Sequence, residues 1–311
     1  MTYSARMALD LGPGLQVFER GWLSSNNILL DDGDGAALVD SGHLVHAPQT
    51  VALLRRQLGD RPLRRLINTH LHSDHCGGNA AVQREWALSL QVPSGSWRAV
   101  QDWDERSLSY LPLGQRCERF SAQSRIAAGD VLSIGTRDWQ VLGAPGHDPQ
   151  SVMLFDAGHG VLISADALWE HGFGVVFPEL EGESAFDDVQ QVLDLIESLP
   201  VRCVVPGHGA AFSDVGAALQ RARARLAGFR ADPARHLRHG AKVLLKYHVM
   251  EERQQPLAAL RAWLRDTPLL QTIWAELGRP DGSHAAWSDR MLQELLDSGA
   301  LQRHGDTVHD A

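Results

Sequence analysis

The chain has 311 residues, 44% of them apolar, enough to bury a large core as one large domain or two. Its formal charge of −9 and pI of about 5.9 argue against a general affinity for nucleic acid or anionic membranes. No apolar run reaches membrane-span length, residues 1–6 lack the apolar core of an export signal, and three cysteines (Cys76, Cys117, Cys203) without a pairing pattern fit a reducing cytoplasm.

Residues 13–42 read as a meander of strands at 15–18, 27–30 and 36–39, with Asp31-Asp32-Gly33-Asp34-Gly35 as a turn. The third strand ends at Asp40, a residue type that turns favour. Residues 47–59 carry helical periodicity, with Val51, Leu53, Leu54 and Leu58 on one apolar face. The alternating run 63–68 predicts a buried strand ending near Thr69, and His70, His72, Asp74 and His75 follow it as His-x-His-x-Asp-His. At a strand end, residues two apart point the same way, so His70 and His72 can grip one ion together. Gly77 and Gly78 allow a tight turn into a helix starting near Asn79, which aims Asp74 and His75 at a second point nearby. Three imidazoles and a carboxylate at this spacing suit a hard-to-borderline divalent metal.

The helix from Asn79 runs to about Trp86, and 88–92 reads as a strand. Residues 94–120 hold Trp97, Trp103, Tyr110 and a Leu111-Pro112-Leu113-Gly114 turn. Alternation returns in strands at 131–134, 139–142, 151–155 and 160–163. Two loops there place a histidine, His147, and a carboxylate, Asp166, just past strand ends. An amphipathic helix over 183–198 and a strand over 201–205 lead to a second Pro-Gly-His turn at His208. Residues 215–230 form a basic helix whose scattered arginines read as a solvated face rather than a nucleic-acid contact, and 241–252, 256–265 and 286–298 carry further helical patterns.

The first motif, followed in order by His147, Asp166 and His208 and preceded by Asp40, resembles the signature of the metallo-β-lactamase superfamily, in its glyoxalase II-like branch, over roughly residues 12–225. The resemblance implies an α/β (α+β) fold, an αββα sandwich with a metal site at one edge. It implies a catalytic domain over 1–225 and a helical, winged-helix-like C-terminal subdomain over 226–311. It also implies two divalent ions, zinc first with iron or manganese as alternatives. One is held by His70, His72 and His147, the other by Asp74, His75 and His208, and Asp166 bridges them. Asp40 then steadies a ligand or its loop from behind. An aspartate at 166, rather than a cysteine, separates the chain from the true β-lactamases, and His72, rather than a glutamate, from the flavodiiron oxygen reductases. Cys76 is expected to face helix packing rather than a metal.

Such a pair of ions activates water for attack on an ester, lactone or thioester carbonyl, with Asp74 orienting the water and taking its proton. The chain has no Gly-x-Ser-x-Gly nucleophile elbow. The aromatic loop 168–178 either offers Trp169, His171, Phe173 and Phe177 to a small-molecule acyl substrate or packs between the loop and the tail. It has no lysine or tyrosine, so a glutathione thioester fits poorly. Segment 94–120 is either a substrate-covering insertion or a surface helix with packed tryptophans. Three other readings compete: a persulfide-dioxygenase-like site with one iron on His70, His147 and Asp166; a nuclease, which the acidic charge disfavours; and a weakly active regulatory metalloprotein. The tail packs on the sandwich, shapes the pocket or forms a homodimer.

Overall fold

The computed structural model describes residues 9–311, so residues 1–6, read above for an export signal, lie outside the described residues. The first half carries β1 (Leu15–Phe18), β2 (Asn27–Asp32), β3 (Gly35–Val39), α1 (Ala47–Leu58) and β4 (Leu63–Ile67). The single turn α2 (Ser73–Cys76) and α3 (Asn79–Glu85) lead to β5 (Ser89–Pro93). Two short helices, α4 (Trp97–Asp102) and α5 (Tyr110–Leu113), precede β6 (Ser124–Ile126). These six strands form one sheet in chain order, antiparallel from β1 to β3 and parallel from β3 to β6.

The second sheet takes β7 (Val131–Ile134), β8 (Arg137–Gly143), β9 (Val152–Asp156) and β10 (Val161–Ala165). After α6 (Phe177–Leu180) and α7 (Phe186–Ser198) comes β11 (Cys203–Pro206), in the order β11-β10-β9-β8-β7. Alternation explains how the sheets meet. Ile28, Leu30, Val39 and Ile67 of the first face Trp139, Val141, Leu154, Ile163 and Val205 of the second in one buried layer. The opposite faces bury Leu38, Leu66 and Leu90 against Leu54 and Leu58 of α1, and Phe155, Leu162 and Val204 against Val189, Leu193 and Ile196 of α7. Central strands covered on both faces must be apolar throughout, as β3, Gly35–Val39, is. The result is the αββα sandwich.

The rest of the chain is α8 (Val215–Ala231), α9 (Pro233–Glu252), β12 (Gln254–Pro256), α10 (Leu257–Asp266), α11 (Pro268–Glu276), α12 (His284–Asp297), β13 (Leu301–His304) and β14 (Thr307–Asp310). The expected division after residue 225 falls inside α8, which runs unbroken to Ala231. Asp232 separates α8 from α9 and caps α9 by accepting the backbone N–H of Arg235. Helix α11 has no counterpart in the helical patterns read from sequence; Pro268 starts it, and its Leu269, Leu270 and Ile273 are buried. Strands β12, β14 and β13 form a small sheet in that order, with the β13–β14 hairpin following α12. Leu244, Leu245, Leu260, Ile273 and Trp287 share one core cluster with Leu113, Val175 and Leu180, so the tail packs on the loop-bearing edge of the sandwich. Arginines of the basic helix α8 make ion pairs at the surface with acids of α7: Arg223 with Asp194 and Glu197, and Arg230 with Asp187. No helix among the described residues is long and apolar enough to cross a membrane.

Candidate metal centre

Every candidate donor sits just past the C-terminal end of a strand, at one edge of the sandwich. Asp40 follows β3, His70 to His75 follow β4, His147 follows β8, Asp166 follows β10 and His208 follows β11. Parallel pairing of β3 with β4 and of β10 with β11 brings these ends together. The strand before the first motif stops at Ile67, so His70 and His72 stand in an extended loop rather than at the strand end itself. Gly77 and Gly78 differ from their expected role: both have ordinary right-handed φ, −60° and −83°. They are needed for close approach, since a Cβ on Gly77 would lie 2.4 Å from Ser73 O and one on Gly78 2.5 Å from Ser41 O. Backbone strain marks the same edge. Asp40 and Ala165, neither a glycine, take φ of 56° and 47°.

The donor atoms of His70, His72 and His147 lie within 4.8 Å of one another, and so do those of Asp74, His75, Asp166 and His208. Asp166 faces both groups. Its Oδ1 lies 3.4 Å from His75 Nε2 and 3.9 Å from His208 Nε2, while its Oδ2 lies 3.3 Å from His147 Nε2. His72 Nδ1 and His147 Nε2 approach to 2.8 Å, and Asp74 Oδ2 is 3.0 Å from His208 Nε2.

Hydrogen bonds behind these atoms set their tautomers. Asp40 Oδ2 accepts from His75 Nδ1 at 2.8 Å and from the Thr69 hydroxyl at 2.7 Å. With its own proton so committed, Thr69 Oγ1 can only accept from His70 Nδ1, 3.2 Å away. Both rings therefore turn Nε2 toward the centre, and these two buried nitrogens have no hydrogen-bond partner. His147 donates from Nδ1 to the Val175 carbonyl at 2.6 Å, which turns its Nε2 toward the centre as well. Buried imidazole nitrogens turned into two compact donor groups, two of them without a hydrogen-bond partner, are what cation sites present, so the donor set fits divalent metal.

Charge agrees with that fit. Burial pushes His72 and His147 down to about 4 and His70 well below its ordinary value, which keeps all three neutral and able to bind metal. Asp166 and Asp74 stay ionised: burial opposes their charge, but the surrounding imidazoles outweigh it and hold both below the usual carboxylate range. On His75 burial also opposes the charge, and the field of Asp166, Asp40 and Asp74 raises its pKa well above normal. A cation bound at Nε2 would take the place of that proton.

A cavity of about 100 Å3 opens on the centre, walled by Trp22, Leu113, Trp169, Val175, Phe177 and Leu244 beside the donors. A larger groove of about 500 Å3 shares His72 and Phe177 with it and runs between the 106–112 segment and Glu181, Glu183 and Leu269. Trp169 and Phe177 thus reach the cavity as expected, and Trp169 Nε1 also donates to Asp166 Oδ1 at 3.2 Å. His171 and Phe173 do not. The chain turns back between Trp169 and Gly172, which leaves His171 80% exposed and sends Phe173 into the core against Phe229, under Arg225. In segment 94–120, residues 106–109 line the groove, while Trp97 and Trp103 pack on the core. Cys76 faces packing, with its Sγ near Leu71 O and the Tyr110 hydroxyl.

Several wall residues escaped the sequence reading. Trp22, 60% exposed, stacks on the His208 ring at 5.6 Å and 9°. Tyr247 of α9 meets Ser73 Oγ at 3.0 Å, and Ser73 donates to Gln115 at 2.9 Å. Asp148 Oδ2 lies 3.7 Å behind His72 Nε2. No local signal marks Trp22, Tyr247 or Gln115. Asp148 stands directly after His147 in sequence, but nothing in the local pattern assigned it a role.

A family model of the metallo-beta-lactamase superfamily matches residues 20–208, the span from Arg20 to His208 that holds every donor above. The chain belongs to this superfamily. Among its relatives in the superfamily, the hydroxyacylglutathione hydrolase of Xanthomonas campestris pv. campestris (strain B100) is 31% identical over 271 residues, covering 84% of this chain and 86% of that protein. The acyl-coenzyme A thioesterase MBLAC2 of Gallus gallus is 30% identical over 161 residues, 48% of this chain, and the chain spans only 57% of that protein's length. These relatives support the glyoxalase II-like branch. The solved metallo-beta-lactamase family protein TTHA1429 from Thermus thermophilus superposes with a TM-score of 0.56 over 97% of this chain and 100% of that one; at 21% identity it speaks for the fold alone.

The cluster's packing yields one prediction here. A Cβ on Gly207 would stand 2.2 Å from Asp166 Oδ1 and 3.0 Å from His75 Cε1. Gly207→Ala is therefore expected to push the carboxylate aside and weaken metal binding by about tenfold or more, within the range seen when ligand support is lost. Zinc titration against a competing chelator, with circular dichroism to show an intact fold, measures this; unchanged affinity refutes it.

Proposed function

We propose that this protein is a two-metal hydrolase of esters or thioesters that carry an apolar acyl group. The observation that carries the reading is the double aim of Asp166, one oxygen toward each donor group. His70, His72 and His147 would hold one ion and Asp74, His75 and His208 the other, with Asp166 shared. Zinc suits the imidazole-rich set, with iron or manganese as alternatives. When bound, such a pair lowers the pKa of water toward neutrality and polarises a carbonyl. The chain's own groups do the rest. Ionised Asp74 accepts a hydrogen from the attacking water and orients it. Asp40 and Thr69 hold the His70 and His75 protons on the far side of each ring. Trp22, Trp169 and Phe177 exclude bulk water from the reacting carbonyl. A single iron on His70, His147 and Asp166 would leave the neighbouring group of Asp74, His75 and His208 without a task, which favours the hydrolase over the dioxygenase.

The walls speak to the substrate. The cavity's apolar lining suits an alkyl or aryl acyl group. The groove that would receive the leaving group offers one guanidinium, Arg106, with Asp148, Glu181 and Glu183. A polyanionic carrier meets net repulsion there, so a neutral leaving group fits better.

The test is a panel of metal-loaded assays with short and medium acyl esters, thioesters of a neutral thiol, lactones, a hydroxyacylglutathione and an acyl-coenzyme A. The expected result is turnover of apolar esters and neutral thioesters with kcat/KM at least about tenfold above the two charged thioesters. Absence of hydrolysis across the panel, or a preference for the polyanionic carrier, overturns the proposal.

A further inference from the structure

The three cysteines are free thiols, yet two of them, 41 residues apart in sequence, are in contact: Cys76 Sγ lies 3.9 Å from Cys117 Sγ. We propose that Cys76 and Cys117 form a peroxide-sensitive dithiol, a modification site that closes to a reversible disulfide between the turn carrying Asp74 and His75 and the loop after α5.

Position assigns a role to each sulfur. Cys117 is half-buried and stands in the irregular segment 114–123, so a small oxidant reaches it. Cys76 is fully buried, at 0% exposure, one residue after His75. Cys117 is therefore the thiol that meets peroxide and Cys76 the one that resolves it. In the first step the Cys117 sulfur takes one oxygen from hydrogen peroxide, becoming a sulfenic acid as the peroxide is reduced to water. In the second the Cys76 sulfur attacks the Cys117 sulfur. The S–S bond forms, the S–O bond breaks, and the hydroxyl departs as water with the Cys76 proton. A reducing dithiol reverses the bond by exchange.

The geometry also locates the consequence. Closing the sulfurs to bonding distance requires about 1.9 Å of travel. Cys76 is held in α2 and packed beneath Tyr110, whose hydroxyl is 3.1 Å from its sulfur. The loop has no ladder or helix to restrain it, so Cys117 makes the move. Its neighbours follow. Gln115 accepts the Ser73 hydroxyl at 2.9 Å and lines the cavity, and Arg116 pairs with Glu251 at 2.9 Å and Glu252 at 2.8 Å on α9. Oxidation thus pulls on the cavity wall and on its contact with the tail. In a reducing compartment such a bond is transient, which is where sensing disulfides are found.

The experiment treats the purified full-length chain with a small excess of hydrogen peroxide. It reads intact mass, and then peptide mapping without reduction. The expected product is about 2 Da lighter, with a single crosslinked peptide joining Cys76 and Cys117, and it returns to the starting mass with dithiothreitol. Cys117→Ser abolishes the mass loss and Cys203→Ser keeps it. Peroxide adducts on Cys117 without crosslink, a crosslink involving Cys203, or a dimer between chains each overturn the proposal. This readout needs no turnover, so it stands apart from the hydrolase reading on which the second measurement rests. There, ester turnover is expected to fall at least about fivefold on oxidation and recover on reduction in the parent but not in Cys117→Ser; an unchanged rate in the crosslinked protein removes the functional consequence.

Discussion

Asp166→Ala is expected to reduce metal content from about two ions per chain to one or fewer, and to lower ester turnover by about a thousandfold. Among the described residues, the shared carboxylate is the group whose two oxygens lie against both donor clusters, at 3.4 Å from His75 Nε2 and 3.3 Å from His147 Nε2. Without it, His147 loses its facing carboxylate and His75 and His208 keep only Asp74, and two bound cations would repel across the gap with no shared negative charge between them. Losing charge stabilisation of several kcal/mol at the transition state corresponds to about three powers of ten in rate. Elemental analysis of protein purified without added metal, beside the same analysis for Asp166→Ala, decides the matter. Undiminished two-metal occupancy in the variant refutes the bridging role. Chelation supplies an independent reading. Metal stabilises the folded parent by mass action, so its removal lowers the Tm of the parent and shifts that of Asp166→Ala far less.

The second large effect is at Asp40, which touches no candidate ion. Its carboxylate accepts four hydrogens: Oδ2 from His75 Nδ1 and the Thr69 hydroxyl, Oδ1 from the Thr69 amide at 2.9 Å and more weakly from Asn68 Nδ2 at 3.4 Å. An asparagine offers a single acceptor oxygen, so its amide group must face one of these donors. With the amide group toward His75 and Thr69, the protons on His70 and His75 are no longer held on Nδ1, and the Nε2 atoms that face the centre are no longer kept for a cation. Asp40→Asn is expected to lower metal affinity by about 10- to 100-fold. Because asparagine tolerates the left-handed backbone that Asp40 adopts at φ 56°, the fold should remain. Asp40→Ala loses both the acceptors and that tolerance, so it should also lose stability. Equal metal affinity in Asp40→Asn and the parent sinks the tautomer argument, and a matched pair of melting curves separates it from simple unfolding.

The donor residues were readable from local pattern because each is tied to a strand end by spacing of a few residues. His-x-His-x-Asp-His after an apolar run, and His147, Asp166 and His208 each just past a strand, mark positions without needing to know what lies opposite. Most strands and helices were readable for the same reason: alternation and helical periodicity are properties of a segment alone. The 168–178 loop shows where this stops. Its aromatic composition was plain, but which side chains face the metals depended on the turn between Trp169 and Gly172, and that turn sent His171 outward and Phe173 into the core.

Residue order thus carried the candidate donor types and their spacing in single side chains and short-range periodicity, while their grouping around two ions and the layered fold came from what the family resemblance implies. The walls around the metals were decided only by tertiary packing. Tyr247 reaches Ser73 across 174 residues, Trp22 comes from far along the chain to lie on His208, and Cys117 touches Cys76 across intervening helices and a strand. Such meetings are set by how the two sheets and the tail stack against one another, and no periodicity within a segment encodes that geometry.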